Sequence, residues 1–213
     1  MQIIHFENEP PKTRFAPIFN FHIYENDVDV RDIKNIILSK EQDIINSNPY
    51  TSDWNTGLGS NSMTSRSNCY NVLKWDEAYF LKEIIRSSHD NFITTLGYDW
   101  EDKIYVQCWA NVLRKGEKIK QHQHWTSEYT YIGGHLTVKC DKSDTVYVNP
   151  FQHDEGLFPL ENKSGTITLF PNYIPHYTTV HKGKEPRITM AFDLTLLNNE
   201  IKLDTDTKEL PYL

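Results

Sequence analysis

The order of hydrophobic and polar positions divides the chain into a helical first half and an alternating second half. Asp76–Leu96 carries Ala78, Leu81, Ile85, Phe92 and Leu96 on one stripe, with Gly97 beyond it as a stop, which predicts a helix lying on the outside of a sheet. Val28–Ile45, with Val30, Ile33, Ile36, Ile37, Ile44 and Ile45, predicts a second helix whose spacing loosens toward its end. Phe15–Tyr24 is aromatic and β-branched and predicts a leading strand. Thr51–Asn71 is rich in Ser, Asn, Thr and Gly and follows neither period. It reads as a long loop, either a solvated connector or a lid over a pocket with Trp54 and Arg66 as its contact residues.

From Lys103 onward the pattern becomes short alternating runs separated by turns, among them IYVQCWANVL, YTYIGGHLTV, TVYV, GTITLF, HYTTV and RITMAFDL. Seven or more short strands at this spacing indicate a sandwich or barrel. Helices followed by strands give an α+β, mainly β class: a double-sheet jelly roll braced by N-terminal helices. The chain is long enough for one well-buried core, so 1–213 reads as a single domain. Within it, 1–100 forms a helical layer with a leading strand, 101–197 the jelly-roll core, and 198–213 a polar tail expected to be extended or mobile.

Charge narrows the partners. The net charge is -7, and the 22 Lys and Arg residues are scattered rather than clustered, which argues against nucleic acid or an acidic membrane as a partner. The N-terminus shows no basic and apolar leader pattern and no run approaches membrane-spanning length. Cys69, Cys108 and Cys140 are few, odd in number and far apart, which fits free thiols in a reducing compartment. A soluble, cytoplasmic protein is expected.

The candidate chemistry begins at Gly116–His124, GEKIKQHQH. Residues two apart on a strand share a face, so His122 and His124 can both point at one interior position. A third imidazole from His176 would complete a set of three ligands and leave the opposite face of a metal open. Arg187 and Thr189, again two apart, put a guanidinium and a hydroxyl on one face of the next strand, a fork suited to a carboxylate. A structural zinc would call for four closed ligands, often with cysteine, and neither is apparent. His5, His22, His135, His153 and His181 have no such context, and His89 reads as structural or exposed within its helix.

These residues resemble the Fe(II)- and 2-oxoglutarate-dependent oxygenases, and within them a branch found in bacteria and phages. That branch carries W-x-N, H-x-H-P, L-F-P-S, a histidine and R-I-S-I-S-F-N. Here the matching residues are Trp109 to Asn111, His122 to His124, Leu169 to Asn172, His176, and Arg187 to Asp193. The resemblance covers the C-terminal half. It implies that His122 and His176 bind iron, that Arg187 pairs with the distal carboxylate of 2-oxoglutarate with help from Thr189, and that Thr130 faces the cofactor. His124 stands where most of the superfamily has aspartate, with Glu128 the nearest carboxylate that could serve instead. Trp125 replaces the proline of the branch and reads equally as a pocket wall or a core aromatic, and Tyr131, Gly133 and Gly134 are further departures. The reaction implied is hydroxylation of an unidentified small molecule or protein side chain using molecular oxygen, with release of succinate and CO2.

Two other readings share the scaffold. Gly116–Glu128 and Gly165–His176 also resemble the two motifs of metal cupins, though Tyr173 stands where the second motif has glycine and Arg187 with Thr189 has no part in it. A non-catalytic jelly-roll binding module is the other.

Overall fold

The computed structural model describes residues 1–7, 13–15, 18–47, 52–53, 55–66, 70–99, 103–124, 128–151 and 156–197. Its elements run β1 (Gln2–Phe6), β2 (Phe21–Asp27), α1 (Ile33–Ser47), α2 (Phe80–Thr95), β3 (Lys103–Leu113), β4 (Thr130–Lys139), β5 (Asp144–Val148), β6 (Leu157–Glu161), β7 (Thr166–Pro171), β8 (His176–Thr178) and β9 (Arg187–Leu197). A six-stranded sheet of order β1-β2-β7-β4-β9-β3 faces a three-stranded sheet of order β6-β5-β8. The expected jelly roll with helices to one side is what forms.

Alternation along the long strands gives the large sheet two different faces. On one, Val106, Cys108 and Ala110 of β3 and Ile188, Met190, Phe192 and Leu194 of β9 join Ile33 and Ile37 of α1 and Leu81, Ile85 and Phe92 of α2 in the main core. On the other, Phe21 and Ile23 of β2 and Phe170 of β7 meet Tyr147 of β5 in a smaller aromatic cluster between the sheets. Gly97 stops α2 as expected, with φ +81°.

The structure corrects several boundaries. The leading strand falls at Phe21–Asp27 rather than Phe15–Tyr24, and it pairs with β1, which the sequence pattern did not suggest. The helix expected over Asp76–Leu96 is confined to Phe80–Thr95 because Asp76–Ala78 forms a separate 3₁₀ turn. His89 is fully buried, with Nδ1 on Asp90 and Nε2 on the Tyr131 hydroxyl at 2.7 Å. The tail 198–213, Trp54, Cys69 and Trp125 lie outside the described residues. No helix of the described residues is long and apolar enough to cross a membrane.

Candidate metal centre

Two backbone hydrogen bonds set the first pair of imidazoles side by side. The N–H of His122 donates to the His176 carbonyl at 3.0 Å and the reverse bond is 2.9 Å, so the two residues form an isolated antiparallel bridge. The expected H-x-H strand is therefore one bridge rather than a regular strand. His124 is anchored by the asparagine of the L-F-P-N segment: Asn172 Nδ2 donates to the His124 carbonyl at 3.1 Å, and the His124 N–H donates to the Asn172 carbonyl at 3.4 Å.

The result is a cluster in which His122, His124 and His176 each offer one ligand atom, all within 4.8 Å of one another. Each Nδ1 is already engaged: His122 with the Lys120 carbonyl at 2.8 Å, His176 with the Ile174 carbonyl at 2.9 Å, and His124 with the Asp193 carboxylate at 2.6 Å. An imidazole whose Nδ1–H donates has a bare lone pair on Nε2. Burial, followed by the neighbouring imidazoles, holds His176 well below its ordinary pKa and brings His122 down to about 4, so both are neutral near pH 7. Three oriented imidazoles with hydrogen-bonded outer partners suit a first-row transition metal.

The cluster opens into a cavity of about 370 Å³ lined on the large sheet by Gln107, Trp109 and Asn111 of β3 and by Arg187, Thr189, Ala191 and Asp193 of β9. These are the alternate residues of the two strands, paired Gln107 with Asp193, Trp109 with Ala191 and Asn111 with Thr189. Arg187 is 2% exposed and its Nε has no partner. Burial lowers its pKa, and its neighbours are the Cys140 thiol and the Tyr147 ring. Its Nη1 lies 3.5 Å from Thr189 Oγ1, and Asn111 Nδ2 reaches the same oxygen at 3.4 Å. Buried Tyr147 Oη and Asn111 Oδ1 are likewise unpartnered. A desolvated guanidinium with no ion pair among the described residues is a binding place for an anion.

Some candidate residues fall elsewhere. Thr130 does not line the cavity: its hydroxyl meets that of Thr195 at 2.9 Å, because a register shift between Thr130 and Ile132 carries it past the last cavity rung. Glu128 is exposed and lies outside the three-histidine cluster. The loop of the first half is more than a connector. Met63–Arg66 forms a buried 3₁₀ turn, and Thr56 and Thr64 line the cavity, although Arg66 itself does not.

Several lining residues were not singled out by the sequence reading. His135 of β4 donates from Nε2 to Asn162 Oδ1 at 3.2 Å, and burial beside Arg187 pushes it down to about 3. Gln107 and Asp193 are two more. Their signal was parity, since they share the faces of Trp109 and Arg187.

Three imidazoles that could hold a metal and a buried arginine without an ion pair among the described residues thus share one cavity. Residues 107–193 match the family model described as "Putative 2OG-Fe(II) oxygenase". That match takes in less than half of the chain, and over it the chain is similar to the Fe(II)- and 2-oxoglutarate-dependent oxygenases. No curated protein matches it. Among solved structures, the non-heme alpha ketoglutarate dependent epimerase SnoN from nogalamycin biosynthesis is similar at TM-score 0.50 and 11% identity, over 84% of this chain and 80% of that one. At that identity the likeness shows the fold. A 2OG-Fe(II) oxygenase family oxidoreductase from Burkholderia pseudomallei aligns at TM-score 0.41 and 11% identity over 48% of this chain. A Pseudomonas putida prolyl-4-hydroxylase aligns at TM-score 0.44 and 12% identity over 57% of it. The chain spans 51% of the length of the first of these and 68% of the second.

Proposed function

We propose that the protein is a dioxygenase in which His122, His124 and His176 hold the ferrous ion and Arg187, with Thr189, receives the distal carboxylate of 2-oxoglutarate. The observation that carries this reading is that three bare Nε2 atoms and one buried, unpaired guanidinium face the same cavity. When bound, the metal and 2-oxoglutarate supply the oxidising power, consuming oxygen and yielding succinate and CO2 as a C–H bond of the substrate is hydroxylated. The chain's part is placement. The Lys120 and Ile174 carbonyls and the Asp193 carboxylate fix the ring orientations, Arg187 offsets the charge of the dianion, and the aromatic cluster of Phe170 and Tyr147 excludes water from one wall.

Thr56, Thr64, Gln123 and Trp109 supply the remaining polar and aromatic walls, where we place the substrate, a small molecule or a protein side chain. A cupin reading without 2-oxoglutarate leaves the buried charge of Arg187 without a partner. Cys108 and Cys140 are free thiols, which supports a reducing, cytoplasmic setting.

The test is an anaerobic titration of Fe(II)-loaded protein with 2-oxoglutarate, followed by visible charge-transfer absorbance and repeated in Arg187→Ala. A band in the wild type that weakens in the variant is expected. Metal-loaded wild type without a band overturns the 2-oxoglutarate assignment.

A further inference from the structure

A metal centre built from three imidazoles lacks the carboxylate that usually balances part of the ion's charge. One carboxylate nevertheless lies beside it. Asp193, at the third cavity-facing rung of β9 after Arg187, is 2% exposed and accepts the Nδ1–H of His124 at 2.6 Å, against 2.8 and 2.9 Å for the carbonyls that hold His122 and His176. The short distance is that of a charge-assisted bond. Its neighbours make room for it. Gly133 stands directly opposite Asp193 on β4, and a Cβ there would come within 3.1 Å of His124 Nδ1. Asn172 ties the His124 backbone in place from the other side. The sequence carries the same point, because R-I-T-M-A-F-D ends in aspartate where the resembling branch ends in asparagine.

Resting on the metal-centre assignment above, we propose that Asp193 is the displaced carboxylate of the site. It is a positioning residue that touches no metal but lends its charge to the ion through the His124 ring. A carboxylate hydrogen-bonded to a metal-bound imidazole fixes the tautomer and raises the basicity of the ligating nitrogen. Here it also sets a carboxylate one hydrogen bond from Nδ1, the ring nitrogen two bonds from the ligating Nε2, so the pair His124–Asp193 does the work of a ligand aspartate. Orientation alone could come from any acceptor, such as the carbonyls that serve His122 and His176; a buried carboxylate adds charge.

The test uses Zn(II) or Co(II) alone, without 2-oxoglutarate, so that it does not depend on turnover. Metal affinity is measured by chelator competition in wild type, Asp193→Asn, Asp193→Ala and His124→Ala, with melting of the metal-free proteins as a check on folding. Asp193→Asn keeps the shape and an acceptor oxygen but loses the charge, and its affinity is expected to fall about 10- to 100-fold. An affinity within about twofold of wild type overturns the proposal, as does a His124→Ala variant that binds as tightly as wild type, since the carboxylate would then act without the ring.

The ring proton gives a measurement on the unaltered protein, should the variants fold poorly. In Zn(II)-loaded wild type the Nδ1–H resonance of His124 is expected clearly downfield of those of His122 and His176, and three alike would refute the proposal. Wild type that binds no metal removes the metal-centre assignment and this inference together, whereas tight wild-type binding with an unaffected Asp193→Asn removes this inference alone.

Discussion

Gly133 and Gly134 are adjacent on β4, yet the fold gives them opposite duties, and a methyl group added to each should be read by different assays. At Gly133 a Cβ would point at two residues that line the cavity, 3.1 Å from His124 Nδ1 and 3.1 Å from Phe170 Cε2. The ring must yield a few tenths of an ångström while Asp193 holds its Nδ1 at 2.6 Å. At Gly134 a Cβ points at the helix side, 2.3 Å from Phe192 Cζ, 2.5 Å from its Cε2 and 2.8 Å from the Thr168 carbonyl. One of those atoms is backbone, and Phe192 is fully buried in the main core, so relief is costly.

Overpacking of this kind costs about 1–3 kcal/mol and occasionally more. Gly134→Ala is therefore expected to lower Tm by roughly 2–12 °C, using about 2–4 °C per kcal/mol for a chain of this size. Gly133→Ala is expected to melt much closer to wild type and to lose metal affinity about 10-fold or more, as displaced ligands do. Calorimetry of the metal-free proteins and chelator competition with Zn(II) give the two numbers. Unchanged metal affinity in Gly133→Ala, or a greater loss of affinity in Gly134→Ala than in Gly133→Ala, refutes the assignment of the two faces.

Arg187→Ala should leave Zn(II) affinity within about twofold and weaken 2-oxoglutarate binding to the metal-loaded protein on the order of 100-fold, because a buried charge pair loses one partner; calorimetric titration decides, and equal affinities refute the anion site. His135 is held at about 3 in the folded chain against about 6.5 when unfolded, so the unfolded chain binds more protons between those values. Its contribution is complete above about pH 6.5 and is lost as the pH falls toward 3, amounting to about 2 to 3 kcal/mol at pH 4.5. His135→Gln should flatten the fall in stability between pH 7.5 and 4.5 by that much in urea unfolding, and parallel curves would count against it. Tyr70 Oη bonds both the carbonyl and the N–H of Ala110 on the edge strand β3. Tyr70→Phe should cost about 1–3 kcal/mol, read as a lower urea midpoint at unchanged slope, and wild-type stability would refute that role.

Period and parity explain what the sequence disclosed. The helices, the alternating second half and the order of the two showed in the spacing of apolar residues, because burial on one face imposes that spacing. Their limits were less legible: the Asp76–Ala78 turn takes up the start of what reads as one helix, and β1 is an edge strand whose residues are mostly half-exposed. The three histidines and Arg187 stood out by residue type. Asp193 and His135 did not, since an acid or an imidazole in a strand has many possible surroundings and only the register with β3 and β4 shows which side of the sheet it enters.

The same register explains why Thr130 misled and Asp193 was missed. Counting by twos from Arg187 along β9 gives Thr189, Ala191 and Asp193, all in the cavity, and one step further gives Thr195, which meets Thr130 beyond it. The bulge between Thr130 and Ile132 is the reason: Thr130 pairs with Thr195, yet Ile132 pairs with Leu194, so parity on β4 changes at that point. A bulge leaves no mark in residue type. The alternation that places Gly133 against Asp193, and so opens the space for the His124 ring, begins only after it. The chemistry of the site thus depends on a local irregularity of backbone pairing as much as on the histidines that announce it.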